Sequence, residues 1–243
     1  MTTPKTRRTL CVGFLLAALL PFCVPSSVSQ TPPPSATISP ADTGCCGPIT
    51  ASGQHMLQVL ERMDVEHLWL ANTKVHWRTG EPRSGHGHTH CSAFAAAAGE
   101  RFGIYMLRPP QHSADLLASA QGRWFDSERG RHDGWRPVTT SLEAQQLANQ
   151  GVLVILVFIN PDAHVPGHVA VVRPAVKSAK ALAEEGPQTI QAGLHNFSNG
   201  TAVQSFAHHK GAWPTQVRMY AHEIDFEAPL PPPSKNEDVE DDK

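Results

Sequence analysis

The residues best suited to chemistry lie in His86-Gly87-His88-Thr89-His90-Cys91-Ser92, where a polar loop gives way to the alanine-rich segment 93–99. A cysteine at the start of a helix feels the positive end of the macrodipole, which favours the reactive thiolate. Thiol catalysis also needs a base nearby and a third group that orients the base. Far downstream, Pro166-Gly167-His168 runs into the apolar stretch Val169-Ala170-Val171-Val172. That sets His168 near the start of a strand, behind a glycine that lets a substrate or another backbone come close. The orienting group is expected on the following strand, where Gln191, His195 and Asn196 are the polar choices. Its work is to accept the imidazole Nδ1–H, which turns Nε2 toward the thiol. Asn196 is the first choice, with Gln191 and His195 as alternatives. Strand alternation puts Gln191 and Asn196 on opposite faces unless a bulge intervenes near Gly193. The backbone N–H of Cys91 is suited to donate to an oxyanion.

A different chemistry is open to the same loop. His86, His88 and His90 alternate, so an extended backbone would turn all three to one side, where they could converge on a cation such as Zn²⁺. The alternative to thiol chemistry is therefore a zinc-dependent hydrolase or a metal-binding protein. The thiol route itself calls for no cofactor. His90, Trp77, Arg108 and Trp124 are the residues expected to contact substrate, the tryptophans being equally suited to a core.

These groups need elements to hold them. Apolar positions over 54–70 recur at helical spacing and predict a first helix. Residues 92–102 predict a second, stopped by Gly103, and Ser113 is placed to cap a short helix through Leu116, Leu117 and Ala120. Ser141 opens another helix that ends at Gly151, a residue suited to a C-cap. The pattern then changes. Residues 152–159 form a continuous β-branched and apolar run, a buried strand by composition and length. Further strands are expected over 165–172, from Thr189 to Phe197, and over 216–224. Helices first and an antiparallel meander after them make an α+β domain.

The chain has 243 residues, room for one domain of ordinary size, and a net charge of −2, which offers nothing to nucleic acid. Lys5, Arg7 and Arg8 precede an apolar run from Leu10 to Val24 and then small residues, the pattern of a secretory signal peptide over 1–29. The run is short for a membrane span, so no stable anchor is expected and the chain is read as secreted or periplasmic. Residues 30–52 read as a Pro/Ser/Thr-rich linker, 53–227 as the folded domain, and 228–243 as an acidic, proline-rich tail. Of the five cysteines, Cys11 and Cys23 would leave with the signal peptide. Cys45 and Cys46 would pair with another chain or form a rare vicinal bridge. Cys91 then remains a single thiol in an exported protein, unless it bridges to Cys45 or Cys46.

Cys91-Ser92-Ala93-Phe94 on a helix, Gly167-His168-Val169-Ala170-Val171-Val172 on a strand, and Asn196-Phe197 on the next resemble the CHAP and NlpC-like cysteine peptidases. The likeness covers roughly residues 77–197, and its most specific piece is the Gly-His-Val-Ala-Val-Val strand. It implies a papain-like α+β fold, N-terminal helices with the cysteine on a helix start packed on an antiparallel sheet. It also implies a thiol amidase or endopeptidase, typically cutting peptide or amide bonds of bacterial cell-wall peptidoglycan. By position, Cys91 is then the nucleophile, His168 the base and Asn196 the orienter. The chain departs from the family pattern where Gln191-Ala192-Gly193 replace an acidic residue found in many CHAP members, and in its long spacer between cysteine and histidine. A catalytically inactive binding module of the same fold, or an acyl transferase, would carry the same pattern. Peptidoglycan or another peptide is the expected partner, and an inhibitor or immunity protein is left open.

Overall fold

The computed structural model describes residues 44–228. The expected signal peptide, most of the expected linker and residues 229–243 lie outside the described residues. Among those described, no helix is long and apolar enough to cross a membrane.

The described chain is α+β. Its elements run α1 (Ala51–Arg62), β1 (Thr73–Val75), β2 (Pro82–His86), α2 (Cys91–Arg101), α3 (Leu117–Phe125), α4 (Glu128–His132), β3 (Arg136–Val138), α5 (Ser141–Gln150), β4 (Leu153–Phe158), β5 (His168–Val172), α6 (Ala179–Glu185), β6 (Gln188–Gln191), β7 (Phe197–Thr201), α7 (Ala202–Ser205) and β8 (Val217–His222). A six-stranded sheet has the order β3-β8-β4-β5-β6-β7, and every neighbouring pair is antiparallel. The meander expected from the sequence holds from β4 to β7. The last strand does not extend it: β8 returns to the far side of β4, pairing Leu153 with His222 and Phe158 with Val217.

Every residue of β4 is buried, which accounts for its unbroken apolar sequence: helices cover both faces of the sheet. Leu153, Ile155 and Val157 join Val169, Val171 and Ile190 in one core with residues of α1, α2 and α3. Val154, Leu156 and Phe158 join Val172 in a second core with Ala144 and Ala148 of α5, Ala202 of α7, and Phe206. Residues 91–99 of α2 are all buried, and their side chains, small apart from Phe94, let the helix lie close to β5 and β6.

Further sequence expectations change. The first helix stops at Arg62 rather than Leu70, because the chain turns through positive φ at Asp64 (52°) and Trp69 (52°). Met63, Val65 and Trp69 still fill the core, so the apolar pattern continued without the helix. The linker expected up to residue 52 gives way to the fold earlier. Cys45 N–H donates to Lys177 O (2.8 Å), the Thr50 hydroxyl caps α1 by accepting from Gly53 N–H (3.1 Å), and Asn149 Nδ2 donates to Gly47 O (3.1 Å). A vicinal disulfide joins Cys45 to Cys46 in this docked segment, and Cys91 is a free thiol. Finally, the single strand expected from Thr189 to Phe197 is a hairpin. β6 ends at Gln191, residues 192–196 form the loop, and β7 opposes Gln191 with Phe197.

Candidate active site

Cys91 is the first residue of α2. The preceding His90 makes no side-chain cap, since its Nε2 is engaged with the Thr73 carbonyl 2.7 Å away. The donors of the first helical turn are thus left for other partners. The N–H groups of Cys91 and Ser92, the Ser92 hydroxyl and the N–H of Val169 all favour the thiolate, but burial outweighs them and pushes the thiol pKa up. The resting group is a protonated thiol. Gln121 secures this end of the helix: its Nε2 donates to Ser92 O (3.0 Å) and Leu107 O (2.9 Å), tying α2 to α3.

The N–H of Val169 belongs to the peptide that joins it to His168, so the sulfur rests against the backbone beside the histidine. Among the described residues, no hydrogen bond joins the thiol to the imidazole. Gly167 is required here by another backbone: a Cβ at that position would run into the Phe158 carbonyl and lie 2.6 Å from Ser119 Oγ.

His168 is buried, and its Nε2 lies 2.7 Å from Gln191 Oε1. The protonation of the ring follows from what the amide does at its other end. Gln191 Nε2 donates to the His195 carbonyl (3.2 Å), which can only accept, so Oε1 must face the histidine and the ring proton must sit on Nε2. Nδ1 is then the unprotonated nitrogen. This reverses the expected assignment of the two ring nitrogens. Burial pulls the His168 pKa below its ordinary value, against an upward pull from Gln191, leaving a neutral imidazole able to accept a proton through Nδ1.

Asn196, the first choice from sequence, is placed elsewhere. Its Nδ2 donates to Val65 O (2.7 Å) and Leu68 O (2.8 Å), and its Oδ1 accepts from Gly193 N–H (2.9 Å). It fastens the 192–196 loop to the turn after α1. The reason is the hairpin: residues 192–196 reverse direction, so alternation along one continuous strand does not apply to Gln191 and Asn196. His195 contributes through its carbonyl, while its exposed ring lies against His208 at 5.5 Å.

A cavity of about 410 Å³ opens over Cys91. The segment 86–90 lines it, held by the bond of Asn72 N–H, just before β1, to His88 O (2.9 Å) and by that of His90 to Thr73 O. Pro109, residues 114–118, and Pro166 and Gly167 also line it. Trp77 lines the cavity too, its indole lying under the guanidinium groups of Arg78 (5.3 Å) and Arg108 (5.2 Å). Arg108 is not among the lining residues; it acts behind Trp77 and faces Glu100 across 3.8 Å. Trp124 is likewise away from the cavity, edge-on to Tyr105 and Phe125.

His86, His88 and His90 all line the cavity, but so do Gly87 and Thr89 between them, so the alternation expected of an extended segment does not set the histidines apart. One ring nitrogen of His90 is already engaged with the Thr73 carbonyl. The described residues hold no group of three or more His, Cys, Asp or Glu that could bind a metal ion. His90 is half-buried and its pKa is lowered, first by that burial.

Sequence reasoning missed Phe206 and His209, whose rings pack against His168 at 5.3 and 5.6 Å. The only local signal was the pair His208-His209, and nothing in its spacing pointed back to β5. No protein-family model matches this chain, and no curated protein matches it.

Proposed function

We propose that the protein is an exported cysteine hydrolase of papain-like architecture, an amidase or endopeptidase acting on peptide or amide bonds such as those of bacterial cell-wall peptidoglycan. The observation that carries this reading is Cys91, at an uncapped helix start that lines the cavity, with its sulfur against the Val169 N–H beside a neutral His168 whose Nε2–H is held by Gln191. The thiol is protonated at rest, so attack on a carbonyl carbon requires its proton to pass to His168 Nδ1 as the S–C bond forms. The negative charge then develops on the carbonyl oxygen, where N–H groups of the first turn of α2 can receive it. The proton on Nδ1 moves to the departing amine, leaving a thioester on Cys91. Water, deprotonated by the same nitrogen, cleaves the thioester and restores the thiol.

Peptidoglycan as the substrate rests on the resemblance of the Cys91 helix and the Gly-His-Val-Ala-Val-Val strand to the CHAP and NlpC-like peptidases. The experiment is digestion of purified muropeptides and of cross-linked peptide stems by the chain lacking residues 1–29, with products read by mass spectrometry. New amine and carboxyl ends are expected with the wild type and none with Cys91→Ala. Chelation with EDTA should leave the rate unchanged. Equal cleavage by Cys91→Ala, or EDTA-dependent cleavage restored by Zn²⁺, would overturn the thiol mechanism in favour of the three histidines.

A further inference from the structure

The surroundings of His168 contain a group that the proposed reaction does not use. The His209 ring stacks on that of His168, with centroids 5.6 Å apart and planes inclined by 28°. It also rests on Phe158 at 4.9 Å, the residue paired with His168 across β4 and β5. Phe206 meets His168 edge-on at 5.3 Å. The position of His209 is fixed by its own backbone, since its N–H donates to Phe206 O (2.9 Å) and its carbonyl accepts from Ala212 N–H (2.9 Å). His209 is half-buried and His168 buried, so the stacked ring is the more exposed of the two.

Resting on the hydrolase reading of this site, we propose that His209 is a positioning residue, a stacked cover that holds the His168 ring in its bond to Gln191 and keeps water from that bond. An imidazole is fit for this only while it is neutral. The groups around the pair are Gln191 from β6, Phe158 from β4, the Cys91 thiol from α2, His195 from the hairpin loop, and Phe206 and His208 from the segment after α7. Burial first, and then the like charges of His168 and His208, hold the His209 pKa down at about 4. Above that value the cover is therefore neutral. Below it the cover itself gains a charge beside the buried His168 ring, and the stack should open.

The arrangement is tested by nitrogen-detected NMR titration of the imidazoles in the full folded chain, which needs no substrate. His209→Ala should move the His168 midpoint up toward its ordinary value of 6.5 and speed the solvent exchange of its Nε2–H. His209→Phe, which keeps an aromatic cover, should leave both near wild type. His209→Gln, polar but without a ring to stack, should behave as the alanine variant and serves in its place if that variant unfolds. An unchanged midpoint and exchange rate in both ring-deleted variants, or failure of the phenylalanine variant to retain them, would overturn the proposal. Because the titration reads the ring and not turnover, absence of hydrolysis would sink the reading of the reaction while leaving this result to stand. Where hydrolysis is found, the acid limb of kcat/KM should rise in pH with His209→Ala and stay in place with His209→Phe.

Discussion

Replacing Asn196 and Gln191 separates a fastening role from an orienting one. Asn196→Ala deletes three bonds of good length, to Val65 O, Leu68 O and Gly193 N–H. At about 0.5–1.5 kcal/mol net for each, the loss comes to about 3 kcal/mol. For a domain of this size that corresponds to a fall in Tm of about 6–12 °C. Urea and thermal unfolding followed by circular dichroism measure it. Gln191→Leu deletes the bond to His168 and should act on chemistry instead. Loss of about 1.4 kcal/mol of orienting energy corresponds to about a tenfold slower reaction, readable as the rate at which iodoacetamide alkylates Cys91 near neutral pH. Below the melting range of Asn196→Ala, its alkylation rate should stay near wild type. The reasoning is refuted if Asn196→Ala melts within about 1 °C of wild type while slowing alkylation as Gln191→Leu does. Asn196 would then be the orienter.

Three further outcomes are expected. Gly167→Ala forces a Cβ against the Phe158 carbonyl and Ser119 Oγ, and overpacking of this kind costs about 1–3 kcal/mol. Urea unfolding should show that loss, and Cys91 alkylation should slow because the start of β5 is displaced. Alkylation of wild type should still be climbing at pH 9, the ordinary thiol value, because burial raises the Cys91 pKa above it; a plateau below pH 8 would contradict the protonated resting thiol. The folded pKa of His168 lies below 6.5 and that of His209 at about 4. The unfolded chain therefore binds these protons first as pH falls. Stability should be full above about pH 7 and decline from 6.5 toward 4, and His209→Phe should reduce that decline in urea titrations.

What could be read from the sequence depended on how local the cause was. The β4 run is apolar throughout because helices cover both faces of the sheet, and that constraint is written in six consecutive residues. The end of α5 was visible because Gly151 takes a φ of 89°, a conformation that suits glycine. The β1–β2 hairpin escaped notice because Pro82–His86 is exposed at every position and so carries no apolar alternation. The place of β8 beside β4 is a long-range choice that no local spacing encodes. Cys91 and His168 were legible from their elements, a helix start and a strand start. Which of Gln191, His195 and Asn196 meets His168 was not, because the tight loop 192–196 changes which side chains share a face. The cover of His168 by His209 depends on the fold of the α7–β8 connection and left no trace near the site.

The nucleophile is tested most directly by rapid acid quench of wild type with a cleavable muropeptide, followed by protease mapping and mass spectrometry of the Cys91 peptide. A thioester adduct on Cys91 that forms before product accumulates and disappears in step with turnover is the predicted result. Steady hydrolysis with no acyl adduct on Cys91 at any time point, and undiminished in Cys91→Ala, would contradict it.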